Sequence, residues 1–97
     1  MSLFQSPSHQ FVSTSPELMS MTDTTVYRAV CLVARPGNTA SFQFGGGQIT
    51  NEVGGVRMSP AGISEFWINP GAPFHLSDIL VAGAVGDWVD TVCIPWS

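Results

Sequence analysis

The stretch "TVYRAVCLVAR", residues 25–35, decides the fold class, because its β-branched and apolar residues run without a break to the turn sequence "PGNT". Neighbouring side chains of an extended strand point to opposite faces. Simple alternation gives this strand two apolar faces, with Val26, Val30 and Leu32 on one and Tyr27, Cys31 and Val33 on the other. A strand that is apolar on both faces is expected to lie in the centre of a sheet or to be covered on both sides.

Similar patterns follow along the chain. "ASFQF" (40–44) places Phe42 and Phe44 on one face, and "ISEFWIN" (63–69) places Phe66 and Ile68 opposite Trp67. In "WVDTVCIPW" (88–96) two alternating sets share the strand: Trp88, Asp90, Val92 and Ile94 on one face, Val89, Thr91 and Cys93 on the other. Shorter strands are predicted at residues 48–50, 55–58, 74–76 and 79–83. Turn signals recur about every 8–12 residues, which indicates an all-β fold, a small antiparallel β-sandwich or barrel.

The first 24 residues have a different composition. They are rich in Ser, Thr, Pro and Gln and keep no period, so we predict an extended N-terminal arm at residues 1–24 and a β domain at 25–97. Within the arm, "SPELMSM" (15–21) predicts one helical turn, with Ser15 as the N-cap and Pro16 at the first position. We expect apolar residues of the arm to anchor on a neighbouring molecule.

Charged residues are scarce. The chain has three arginines, no lysine and a net charge of −4, and its 10% of charged residues compares with about 25% in ordinary soluble domains. Three cations on an acidic chain cannot neutralise a run of phosphates, which argues against nucleic-acid binding. The longest apolar run, residues 79–85, is far shorter than the ~20 residues of a membrane span. A surface with so few charges is expected to be covered by other protein.

The two cysteines, Cys31 and Cys93, each lie inside an apolar run. The favoured interpretation is a pair of buried thiols that act as small apolar side chains. Two alternatives remain open at this point. One is a disulfide that joins the first and last strands in an oxidising compartment, and the other is a metal or catalytic role.

Patterns that would indicate an enzyme are weak. Without lysine there is neither a P-loop lysine nor a Schiff-base lysine, and the Gly45–Gly47 run lacks the spacing of a dinucleotide fingerprint. His75 is a candidate general base with no marked nucleophile beside it. Asp78, Asp87 and Asp90 are too dispersed for a dense calcium loop. We therefore predict a protein that is not an enzyme and holds no cofactor or metal.

The aromatic residues are the strongest functional signal. Tryptophan and phenylalanine are enriched at protein interfaces. The candidate contact residues are Phe4, Phe11, Trp67, Trp88 and Trp96. A carbohydrate platform is the alternative, since sugars stack on indole rings beside polar groups such as those of Asn69 and Asp90.

The stretch "ISEFWINPGAPFHLSDILVAGAVGDWVDTVCI", residues 63–94, resembles the end of many small β-rich phage virion proteins. The shared pattern is a strand, a Pro-Gly turn, an "L-S-D-I-x-V-x-G" step, a Gly-Asp turn and a final apolar strand. The resemblance implies a capsid-associated or decoration protein, with no catalytic residues to carry over. We therefore expect a non-enzymatic structural subunit located in a virus particle, which packs against a major shell protein or its own copies and binds neither nucleic acid nor membrane. The alternative is a small module that recognises a glycan or peptide through exposed aromatics.

Overall fold

The computed structural model describes residues 6–45 and 55–96. Their strands, in chain order, are β1 His9–Gln10, β2 Glu17–Leu18, β3 Tyr27–Ala34, β4 Phe42–Gly45, β5 Val56–Met58, β6 Glu65–Ile68, β7 Leu80–Ala82 and β8 Trp88–Pro95. They form two antiparallel four-stranded sheets, sheet A in the order β1-β8-β3-β6 and sheet B in the order β2-β7-β4-β5. The two sheets pack face to face, which confirms the predicted small all-β sandwich.

The core lies between the two sheets. Alternation along β8 is confirmed, because Val89, Thr91 and Cys93 are buried while the residues between them are only partly so. Phe42 and Phe44 of β4 are also buried, as predicted. The core cluster includes Phe11, Met19, Tyr27, Val30, Leu32, Phe42, Phe44, Met58, Leu76, Ile79, Val81, Val89 and Cys93.

Strand β3 departs from simple alternation at its first residues. Its register against β8 shifts between Tyr27 and Ala29, so that Arg28 is an extra residue, a β-bulge. The bulge turns Tyr27 inward, where it is fully buried, and leaves Val26 exposed. The predicted faces were therefore wrong for Val26 and Tyr27, since a one-residue insertion reverses the alternation of everything before it.

The described part of the N-terminal arm packs on its own chain. Strand β1 pairs with β8 in sheet A, and β2 pairs with β7 in sheet B. Phe11 is 1% exposed, and its ring lies 6.0 Å from the ring of Phe42. Residues 6–24 thus supply one edge strand to each sheet, and Phe11 packs in the core of its own chain.

The helical turn predicted at residues 15–21 does not form; Glu17–Leu18 is a strand. The Glu17 carboxylate accepts hydrogen bonds from the backbone N–H groups of Val12 and Ser13. The N–H of Met19 donates to the carbonyl of Ile79 at 2.9 Å. Backbone hydrogen bonds to β7 and to Ile79, the residue before it, replace the hydrogen bonds that a helical turn would form. Tertiary pairing therefore overrides the local capping signal.

The strand predicted at residues 74–76 also differs. Phe74 forms a single bridge to Tyr27, and Leu76–Asp78 is one turn of 3-10 helix. The side chain of Asp78 accepts a hydrogen bond from the backbone N–H of His75 at 2.9 Å, which closes the turn. The strand predicted at residues 55–58 is present as β5, and the one predicted at 48–50 lies outside the described residues.

The two cysteines lie on opposite faces of sheet A. Cys93 shares the inner face with its partner Val30, and the next residue of β3, Cys31, has its side chain on the outer face. Both thiols are free and buried. Burial raises the pKa of both. The disulfide alternative is therefore excluded, because the sheet itself separates the two sulfur atoms.

Candidate functional site

The outer face of sheet A carries three cross-strand rows of side chains. In an antiparallel sheet, residues paired across strands share a face. The rows are Ile94–Ala29, Val92–Cys31–Trp67 and Asp90–Val33–Glu65. We call these eight positions, together with Trp88, Trp96, Arg28 and Arg35 at their two ends, the sheet A face.

The centre of the sheet A face is apolar. Trp67 is 50% exposed, and Val33, Val92 and Ile94 are half-buried. Ala29 and Cys31 are buried, since larger neighbours on the same face surround them. The outward positions of a sandwich strand are normally polar where they meet water. Here they extend the apolar composition of the core to the outside of the sheet.

The corresponding face of sheet B is mixed in composition, and its centre is covered, since Gln43 and Ala82 are each 2% exposed. Its strand β4 places Gln43 outward, paired with Arg57 of β5 and Ala82 of β7. Arg57 donates a hydrogen bond to the hydroxyl of Ser41 at 2.8 Å. The outer face of sheet A differs in that it leaves a large apolar side chain, Trp67, half exposed at its centre.

One end of the sheet A face is closed by Arg35. Its guanidinium lies over the Trp88 ring, 4.3 Å from the centroid, within the range of a cation–π contact. It also donates to both carboxylate oxygens of Asp90, with Nε to Oδ2 at 2.9 Å and Nη2 to Oδ1 at 2.6 Å. Ser8 donates a further hydrogen bond to Asp90 at 2.8 Å. This end therefore has a fixed geometry, in which both charges have partners.

The pKa of the Asp90 carboxyl is lowered, chiefly by its hydrogen bonds from Arg35, against an opposing effect of burial. The same hydrogen bonds raise the pKa of Arg35. Asp90 is therefore ionised across the neutral pH range and keeps Arg35 in place over Trp88.

Arg28 lies at the other end, beside Trp96. Because a bulge residue points to the same side as its successor, Arg28 and Ala29 both face outward opposite Ile94. The guanidinium is 5.1 Å from the centre of the Trp96 ring, and its Nη2 donates to the Trp96 carbonyl at 2.9 Å. Among residues 6–45 and 55–96, no carboxylate forms an ion pair with Arg28.

The structure brings together three of the five aromatic residues singled out in the sequence. Trp67, Trp88 and Trp96 share the sheet A face, whereas Phe11 is in the core and Phe4 lies outside the described residues. Sequence reasoning did not select Val92 and Ile94, although their alternation with Trp88 in β8 was a usable signal. It also did not place Arg28, because the bulge that turns it outward leaves no mark in the sequence.

A second feature is an open cleft of about 380 Å³ beside β6. It is lined by Phe44, Phe66, Ile68, Asn69 and Asp78, among others. The rings of Phe44 and Phe66 are 5.1 Å apart and bridge the two sheets. Trp67 lies at the rim, so the cleft and the sheet A face meet along β6.

His75 lies beside a group of hydrogen-bonded residues at the start of β3. Its Nδ1 is 3.1 Å from the carbonyl oxygen of Thr25. The neighbouring Tyr27 hydroxyl donates to Asp23 at 2.5 Å, and the Thr25 N–H donates to the same carboxylate. Burial raises the pKa of Asp23, but these hydrogen bonds outweigh it and the net pKa is lowered. Burial, together with the carboxylate, raises the pKa of Tyr27. The group ties the end of the arm to the start of β3.

The three aspartates considered as calcium ligands have separate structural roles. Asp78 closes the 3-10 turn, Asp87 binds the turn after β3, and Asp90 pairs with Arg35. Over residues 6–45 and 55–96, no group of three or more His, Cys, Asp or Glu side chains is arranged to hold a metal ion. Within those same residues, no helix is long and apolar enough to cross a membrane.

These features define a small antiparallel β-sandwich with one apolar outer face bounded by two arginine–tryptophan stacks. In comparisons with known proteins, no family model, no curated protein and no solved structure matches the chain.

Proposed function

We propose that this protein is a non-enzymatic structural subunit of a virus particle, in which it packs through the sheet A face against its own copies or a major shell protein. The observation that supports the proposal best is the row Val92–Cys31–Trp67, which continues an apolar surface across three strands on the outside of the sandwich. The phage virion resemblance of residues 63–94 supports the setting, since this segment contributes β6 and β8 to the face.

Covering the exposed part of Trp67 with a partner would stabilise a complex at this face. An indole buries roughly 150–250 Å² when covered, so a ring that is 50% exposed leaves about 100 Å² to be buried by a partner. At about 25 cal/mol per Å², covering this ring contributes ~2.5 kcal/mol. Val92, Ile94 and Trp96 add to it on the same face. A contiguous apolar surface of this kind is typical of interaction sites.

The edges of the face have the composition of an interface rim. Charged groups stand at both ends, Arg35 with Asp90 at one and Arg28 at the other, while the middle is apolar. An apolar centre with a charged rim is the usual anatomy of a protein–protein contact. Arginine and tryptophan are also the residue types most enriched among those that dominate binding energy.

The test is incorporation into particles. Val92→Lys places a charge at the centre of the sheet A face, and Val85→Lys is the matched control, because Val85 is 59% exposed on the turn before β8. We expect the wild type and Val85→Lys to purify with assembled particles in stoichiometric amount and Val92→Lys to be lost from them. Thermal unfolding of the isolated chains checks that both variants fold. Absence of the wild type from purified particles, or retention of a folded Val92→Lys, would overturn the proposal.

The cleft beside β6 favours a second candidate, a module that binds a glycan or peptide. It combines aromatic walls with the amide of Asn69 and the carboxylate of Asp78, the groups that orient a sugar. Titration calorimetry with glycan and peptide libraries tests it. Trp67→Ala, at the cleft rim, should abolish such binding, while Trp96→Ala, at the far end of β8, should leave it intact. Equal loss in both variants would contradict a site in the cleft.

A further inference from the structure

We propose that the sheet A face binds a second copy of this chain, with the two sandwiches related by a two-fold axis that passes near Cys31 and runs across the strands. This inference rests on the proposed function of the face as a docking surface and names its occupant. Strands of the two facing sheets then run antiparallel, and each end of one face lies over the opposite end of the other.

Charge complementarity selects this arrangement. One end of the face carries Arg28, which has no carboxylate partner among the described residues. The other end carries the row Asp90–Val33–Glu65, in which Asp90 is paired with Arg35. Glu65 is exposed and forms no ion pair with a described residue. Each face thus presents one positive and one negative end.

The two-fold axis brings the opposite charges together. Arg28 and Glu65 lie on opposite sides of the row that contains Cys31, separated along β3 by about five residues, or ~16 Å. Rotation about an axis through that row places Arg28 of one copy over the Glu65 end of the other, twice. A two-fold axis along β3 would instead place the two Arg28 side chains together and lay Glu65 of each copy over the Asp90 position of the other, which like-charge repulsion disfavours.

The same axis matches the apolar surfaces. The row Val92–Cys31–Trp67 contains no charged residue and lies against the same row of the second copy. A two-fold interface is self-complementary, so one patch must serve as both halves. A face that is apolar at its centre, with opposite charges at its ends, meets this requirement.

The size of the face sets the expected strength. Eight residues of strand span about 26 Å and three strands about 14 Å, so the flat area is at most about 370 Å² for each copy. Two copies then bury roughly 700 Å² of flat area, which lies with the small interfaces of weak, reversible pairs. We therefore expect a dimer that dissociates on dilution.

The test is a charge swap followed by sedimentation velocity of the full chain over a wide concentration range. Wild type should form a dimer, and both Arg28→Glu and Glu65→Arg should weaken it about tenfold or more, because each places like charges together. The double variant Arg28→Glu/Glu65→Arg should recover the dimer, since the pair is then reversed. Val92→Lys should be monomeric and Val85→Lys should behave as wild type.

Circular dichroism melting shows whether each variant is folded, and the double variant remains informative if one single variant is not. A wild type that stays monomeric throughout, or a double variant no better than the singles, would overturn the inference. A monomeric wild type that still enters particles in a Val92-dependent manner would overturn the second copy as occupant and leave the proposed function standing. A wild type that neither dimerises nor enters particles would overturn both the second copy as occupant and the proposed function.

Discussion

The carboxylate of Asp87 accepts hydrogen bonds from the backbone N–H of Thr39 at 3.0 Å and from its hydroxyl at 3.1 Å, across 48 residues of sequence. The Ala40 N–H donates to the same carboxylate at 3.1 Å. Asn38 adds two further bonds, in which its side chain donates to the Trp88 carbonyl and accepts from the Trp88 N–H. The turn after β3 is thereby fastened to the start of β8, and Trp88 is fixed at one end of the sheet A face.

Asp87→Ala should lower the free energy of unfolding by about 2–4 kcal/mol, because it removes a buried acceptor and leaves the Thr39 and Ala40 donors without it. Urea unfolding measures the change. Asp78→Ala is the control, since Asp78 is exposed and accepts a local hydrogen bond from the His75 N–H, and its cost should be about 1 kcal/mol or less. Equal losses of unfolding free energy in the two variants would contradict the role of Asp87 in fastening the turn after β3 to the start of β8.

Asp90→Asn should make the free energy of unfolding less dependent on pH in the acid range. The pKa of Asp90 is lowered in the folded protein, so its contribution is complete above the ordinary aspartate pKa of about 4 and is lost as the pH falls through the lowered value. The free energy of unfolding, measured from acid to neutral pH, should decline less steeply on acidification in the variant. Asp23, whose pKa is also lowered, should preserve part of the slope. Parallel curves for variant and wild type would refute this role of the Arg35 pair.

Gly83→Ala should destabilise the fold by about 1–3 kcal/mol through overpacking. A Cβ at this position would lie 2.7 Å from Cε2 of Phe11 and 2.9 Å from Cβ of Phe42, closer than packed carbons allow. Gly37→Ala is the matched control, because a Cβ there meets no atom within 4 Å. Chemical denaturation of both should show a loss in the first alone, and a neutral Gly83→Ala would argue against close packing of the arm on β4.

Phe11→Ala should cost about 3–5 kcal/mol, the usual range for removing a buried phenylalanine. Its neighbour Val12 is 77% exposed, so Val12→Ala should change stability by less than about 0.5 kcal/mol. Urea midpoints and slopes measure both. If Phe11→Ala proved as mild as Val12→Ala, the arm would not be part of the cooperative unit.

Local patterns in the sequence predicted much of the sandwich. The alternation in β8, the placement of Phe66 and Ile68 opposite Trp67, and the turn signals between strands all correspond to the structure. These features depend on the two-residue period of a strand, which is written directly in the order of the residues. The apolar outer face of sheet A was visible in the same way.

Other features depended on distant contacts. The β-bulge at Arg28 reversed the expected faces of Val26 and Tyr27, and residues of the arm pair with β8 and β7 as β1 and β2. The helical signal at Ser15 and Pro16 yielded to pairing with β7. Each of these outcomes is set by a partner strand far away in the chain, which local propensity does not include.

The sequence by itself thus determined an all-β chain, the alternating faces of its long strands and a shortage of charge that leaves apolar residues on the outside. The tertiary structure decided which strands are neighbours, that Cys31 and Cys93 lie on opposite faces, and that two arginines stack on tryptophans at the two ends of one face. The physical reason is that residue type and spacing fix which way a side chain points along its own strand. Long-range backbone pairing alone fixes what that side chain meets.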